Sequence, residues 1–304
     1  MFSASSFPKV LPSNCQQVGD VIGVSLAGTG KMDFGVPVPG AGAGVGAAVD
    51  RITGSDFTLD VFHPQGADPY AVLAMPQSSI AGTSAGSPPK CSDGAYSFWT
   101  DTGQPSGRKV LVDTTYNWYS NLNSTPASVS QTKALAGLKH AAAAISNTSS
   151  TCDTRDLNPK PQTYMGDRAL AGNVTQDSCA ADGSTDGINN VVFGPLTNPS
   201  YLAVTCHWLK QGTNPNYWLL KEGDVRFRSS GVSWKFADEA CTTGYSLVGV
   251  ATHEFGHVWG LGHVDESTHG NLTMSTASSP CDFDAVNLGI GDVSGIAHLY
   301  GTAS

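Results

Sequence analysis

The residues from His253 to His263 constrain this chain more than any others. They read H-E-F-G-H-V-W-G-L-G-H. On a helix, positions i and i+4 stand about 40° apart, so His253 and His257 share a face and can grip one ion. Gly260 can take the positive-φ conformation that ends a helix sharply, and the turn brings His263 back as a third nitrogen ligand. Three neutral imidazoles leave the fourth position of a tetrahedral ion open to water, as in a catalytic zinc site and unlike a closed structural one. Glu254 does not point at the ion with its neighbours. It can reach a water there, accept its proton as a general base, and so support attack on a carbonyl that zinc polarises.

The rest of the composition fits an exported enzyme. With 40% hydrophobic residues in 304, the chain can bury a core. Charged residues are only 13%, about half the usual share. A net charge of −9 argues against a nucleic-acid face, which needs a basic surface. No apolar run approaches the roughly 20 residues of a membrane span. Seven cysteines, none in a C-x-x-C pair, suit an oxidising compartment. Met1 to Leu11 lacks the charged and apolar regions of a leader, so a secreted, extracellular form would have its leader outside this sequence.

Along the chain, residues 1–88 read as a small β-rich N-terminal unit. Apolar runs at Val21–Leu26, Phe57–Phe62 and Tyr70–Met75 alternate with turns, including the glycine-rich Val36–Ala48. Ser78–Pro89 has the small residues of a linker, which sets a boundary between units 1–88 and 89–304. In the second unit, Ser128–Ile145 has helical spacing with Ser128 or Ser130 as cap. Strands are expected at Lys109–Thr115, Val191–Phe193, Tyr201–Leu209 and Val225–Trp234. Helices are expected at Tyr245–Val258 and Ser294–Leu299.

The string H-E-x-x-H-x-x-G-x-x-H resembles that of the metzincin metallopeptidases. Their second mark is a methionine turn, and Asn271–Ser275 (NLTMS) offers Met274. The resemblance implies that Met274 forms an apolar floor under the imidazoles and is not a ligand. Leu288–Gly301 is similar to the last helix of the matrixins, with Asp292 as a buried helix-start carboxylate and Tyr300 as a packing residue. The fold implied is α+β or α/β: a twisted mixed sheet, long helices and an active-site helix, preceded by the β-rich unit. In that family an edge strand pairs with an extended substrate, which here points to Tyr201, Leu202, Ala203, Val204 and Thr205. Two departures stand out. Val264 and Asp265 follow the third histidine where matrixins carry Ser, and no histidine–aspartate set for a second zinc is present. His63, His140, His207, His269 and His298 therefore read as structural.

Asp182–Asn190 (DGSTDGINN) has oxygen ligands around glycine, so a calcium reading names Asp182, Asp186 and Asn190. The twelfth position is Phe193 where a calcium loop needs Glu, which favours a plain turn. Pro89–Asp93 bears a likeness to the segment whose cysteine silences matrixin precursors. Cys91 and the odd Cys15 are thus competing candidates for a zinc-blocking thiol, while the preferred reading makes Cys91 half of a disulfide with Cys152.

The expectation is a monomeric, secreted endopeptidase with one catalytic zinc that acts on proteins or peptides, without nucleic-acid or membrane partners. Two rivals stand beside it: a binding or adhesion protein on a catalytically weak metzincin scaffold, and a zinc hydrolase of small amides or esters.

Overall fold

The computed structural model of the chain describes residues 9–11, 16–18, 21–26, 30–50, 58–63, 65–74, 87–101, 108–153, 157, 159–180 and 185–301. Within them, 12 strands form one sheet. In chain order these are β1 (Lys9–Val10), β2 (Ala41–Asp50), β3 (Thr58–His63), β4 (Tyr70–Ala74), β5 (Thr100–Asp101) and β6 (Arg108–Leu111). They continue with β7 (Tyr116–Ser120), β8 (Gln162–Asp167), β9 (Asn189–Gly194), β10 (Tyr201–Gln211), β11 (Tyr217–Arg228) and β12 (Ala277–Ser278). The helices are α1 (Gln131–Ser146), α2 (Leu247–Val258), α3 (Glu266–His269) and α4 (Ile290–Tyr300).

The strand order is β1-β4-β3-β2-β10-β11-β9-β7-β8, with β12 beside β2, β6 beside β11 and β5 beside β6. β11, β9, β7 and β8 are parallel to one another, and β10 turns back antiparallel to β11. From β10 outward, β2, β3, β4 and β1 alternate direction. The sheet therefore runs through residues on both sides of Ser78–Pro89. Of that stretch only residues 87–89 are described.

Local sequence explains the elements that position the site. α1 begins where the Ser130 hydroxyl accepts the Lys133 N–H at 3.4 Å, a cap of the expected kind. Ala134, Leu138, Ala141 and Ile145 lie on its buried face, at the spacing of a helix packed on one side. Gly137 lets α2 approach, since a Cβ there would stand 3.0 Å from the Val248 side chain. α1, α2 and α4 share one core with Trp118, Phe227, Phe255 and Trp259. On the other face of the sheet Leu59, Val61, Val204, Cys206 and Trp208 form a second. β10 is buried from Tyr201 to Leu209, which is why its sequence is a nearly unbroken apolar run and not an alternating one.

Two expectations fail. The glycine-rich stretch Val36–Ala48, read as turns, contributes most of β2, a 10-residue strand. Glycine weakens a strand on its own, but β2 has a ladder on each side: residues 41–45 pair with β3, and residues 41–49 with β10. Its glycines also allow a close approach, because a Cβ on Gly42 would meet the Phe62 ring at 2.8 Å. The second failure follows from the first. Tyr201, Leu202, Ala203, Val204 and Thr205 are not an edge, since β10 has β11 on one flank and β2 on the other.

Candidate functional site

α2 carries the first two histidines. It starts at Ser246, whose hydroxyl accepts the Gly249 N–H at 3.0 Å, and every residue from Gly249 to Val258 is buried. The His253 Nδ1 lies 2.9 Å from the Thr273 carbonyl, and the His257 Nδ1 lies 3.0 Å from that of Leu261. A carbonyl only accepts, so both Nδ1 atoms carry protons and both Nε2 atoms present bare lone pairs. The helix ends at Gly260, where φ is +93°, and the turn returns His263 to the same point. The three Nε2 atoms lie 2.8 to 3.0 Å from one another.

That cluster needs a cation. As neutral rings, His253 and His257 face each other as two acceptors at 3.0 Å, a contact that a shared metal relieves. Burial, with the neighbouring rings adding to it, pushes the His253 titration down to about 3 and that of His257 well below its usual value. Burial likewise takes His263 to about 3. All three rings are thus neutral, as metal ligation requires, and three nitrogens with a remaining position suit zinc. Among the described residues this is the cluster whose ligand atoms converge as a metal site needs.

Glu254 is fully buried, and the Thr205 hydroxyl donates to its Oε2. The link gives a residue expected on a substrate-pairing edge a different place, as the hydrogen-bond partner of Glu254. No local sequence signal marks it, because β10 and α2 meet only in the fold. Trp99 was likewise illegible: its ring lies edge-on to His257 at 4.9 Å and beside His207 at 4.0 Å.

Met274, at 2% exposure, packs against α2 between the two helix histidines, at Gly256. Gly256 makes its room, since a Cβ there would come within 2.2 Å of the Met274 sulfur. A glycine inside a helix costs about 1 kcal/mol against alanine, and that cost is the signal that could have found it. The turn is tied down by Asp292, whose buried carboxylate accepts N–H bonds from Gly289, Thr273 and Met274 at 2.8, 3.0 and 3.2 Å. Thr273 in turn accepts from His253, so the start of α4 orients a ligand through two bonds. The Tyr300 hydroxyl donates to the Trp259 carbonyl at 2.9 Å and receives the Val112 N–H at 3.0 Å. Gly256→Ala is expected to cost about 1–3 kcal/mol by overpacking, seen as a lower melting temperature that a second change, Met274→Ala, largely restores. A parent-like melt for Gly256→Ala would place the sulfur elsewhere.

The remaining candidates lie apart. Asp182 is outside the described residues. Asp186 accepts the Ile188 N–H at 2.9 Å in a local turn, and the Asn190 N–H donates to Asp224 at 2.7 Å. Among the described residues no group of three His, Cys, Asp or Glu side chains converges there, and the calcium reading gains no support. His63 bonds the Pro37 carbonyl, His269 pairs with Asp93 at 2.9 Å, and His298 lies against Phe98. Cys91 is bonded to Cys152, Cys179 to Cys206, and Cys241 to Cys281. Cys15 is outside the described residues.

The site so built is a cluster of three histidines that could hold a metal ion, with the buried Glu254 on the same helix. Residues 209–301 match the model of the matrixin family, Peptidase_M10. That stretch holds all three histidines, Glu254, Met274 and α4, and over it the chain is a matrixin-like metzincin sequence, which implies zinc and metallopeptidase chemistry. No curated protein matches the chain.

Proposed function

We propose that the chain is a secreted zinc endopeptidase in which His253, His257 and His263 hold the metal and Glu254 is the general base. The observation that carries this reading is the convergence of three imidazole nitrogens within hydrogen-bond distance of one another, on a helix and turn that also carry a fully buried carboxylate, Glu254. Zinc bound there supplies Lewis acidity, which acidifies water and polarises a peptide carbonyl. Glu254, steadied by Thr205, accepts the proton and passes it to the departing amine. Trp99 and the sheet exclude bulk solvent, which strengthens the electrostatics inside.

Three disulfides support an oxidising, extracellular setting, and no helix among the described residues is long and apolar enough to cross a membrane. In this reading the enzyme acts as a monomer on proteins or peptides. Residues 89–304 carry every group of the reaction, and residues 1–88 add strands beside them.

The test is casein cleavage. It is expected to be lost on treatment with a zinc chelator and to return with added zinc. Cleavage that survives complete zinc removal would end the proposal. A second reading, a binding protein on a catalytically weak scaffold, is favoured by the paired flank of β10. Under it, zinc binds and no protein is cut by any form of the chain.

A further inference from the structure

A peptide that is to be cut must bring a main-chain carbonyl to the three imidazoles and Glu254. The structure leaves little way in. Glu254 and His257 are fully buried and His253 nearly so, while His263 keeps some contact with solvent.

The strand beside them is β2. Its residues 46–49 pair with β10, Gly46 opposite Thr205 and Val49 opposite Tyr201. On the other flank Val49 pairs with Ala277 and Asp50 with Ser278 of β12. Among the described residues the last pair of the β3 ladder is Val45 with Leu59. Thr205 is the residue that holds Glu254, and β12 follows directly on the Met274 turn. This end of β2 therefore lies between the strand that carries Glu254's partner and the strand that follows Met274.

Its composition suits the place. Residues directly opposed in an antiparallel pair project to the same face. Gly46 lies opposite Thr205, which reaches Glu254. Gly44 lies opposite His207, whose ring meets Trp99 beside His257. Toward the metal side, β2 presents glycine at both positions, and its main chain comes within 8 Å of α2 between Cα atoms. An extended main chain, paired on both flanks and bare toward the catalytic groups, is how a peptide bound by strand addition would lie.

Resting on the zinc-peptidase reading, we propose that residues 46–50 occupy the peptide-binding ladder of this site. The intact chain is then a closed form, which a protein substrate enters only when that segment leaves. The segment can leave alone. Residues 41–45 are held by β3 as well as β10, whereas among the described residues the partners of 46–50 in the ladders are β10 and the two-residue β12. The fraction of molecules with the ladder open sets the apparent affinity for any peptide.

The test uses the full zinc-loaded chain and an Ala47→Pro/Ala48→Pro variant. N–H groups alternate in direction along a strand, so two consecutive prolines must remove one bond toward β10. Each protein is titrated with acetohydroxamate, which can only bind the metal, and with an extended peptidyl hydroxamate, which must also pair its backbone. In the intact chain the peptidyl probe is expected to strip amide-exchange protection from residues 46–50 while β10 stays protected, and acetohydroxamate to leave both protected. The variant is expected to bind the peptidyl probe about tenfold more tightly or better, with little change for acetohydroxamate. If the peptidyl probe saturates the intact chain while residues 46–50 remain protected, β2 is a permanent strand and the inference is wrong, with the peptidase reading intact. If neither protein binds acetohydroxamate, the zinc reading falls and takes the inference with it. The exchange measurement on the intact chain decides by itself should the variant not fold.

Discussion

Glu254→Gln is expected to lower peptide cleavage by about 10²-fold or more while zinc content and melting temperature stay near those of the parent. The argument rests on what the substitution keeps. Glutamine has the same shape, and its amide oxygen can still accept from the Thr205 hydroxyl that now donates to Oε2. In a fully buried position, a change that keeps volume and hydrogen bonding disturbs packing little. His253 and His257 are held through their Nδ1 atoms by the Thr273 and Leu261 carbonyls, contacts that the substitution leaves alone. The metal site should therefore survive. What is lost is proton acceptance, because an amide does not take a proton at neutral pH. The measurement is the cleavage rate of a peptide at saturating and limiting concentration, with zinc counted on the same sample. A variant that cleaves at the parental rate would remove Glu254 from the chemistry.

The sequence made the metal site legible because its ligands lie within one helix and one turn. Spacing alone puts His253 and His257 on one face, and Gly260 had one conformational reason to be there. Asp292 and Tyr300 were legible only through resemblance, since their partners, the Thr273 N–H and the Val112 N–H, are remote in the chain. β2 was misread because strand propensity is judged residue by residue, whereas the ladder that holds its glycines comes from β10, some 160 residues on. The same misreading turned β10 into an edge. β7 and β8 were passed over as well, being short strands in loop-rich sequence that parallel pairing at the sheet's far side stabilises. Contacts local in sequence could be read. Those made across the sheet could not.

Gly260→Ala should be the most damaging single methyl group in the catalytic region. Two independent costs meet at this position. The φ of +93° is one that alanine adopts only with strain, a penalty of about 1–3 kcal/mol. The new Cβ would also stand 2.1 Å from the Val110 carbonyl oxygen, which belongs to β6 and is fixed by that strand's pairing with β11. A backbone oxygen cannot swing aside as a side chain can, so the turn or the strand must move, adding about 1–3 kcal/mol. The sum, about 2–6 kcal/mol, is comparable with the whole stability of many domains. Any folded remainder should bind zinc poorly, because the turn that shifts is the one that returns His263 to the other two rings. Gly231→Ala supplies the control: its φ is +72° but nothing lies within 4 Å of the added carbon, so it carries the conformational strain alone. Thermal melts and zinc titrations of the two variants separate the terms. Equal losses in both would mean that the Val110 contact is not what makes Gly260 indispensable, and the third ligand would need another explanation for its place.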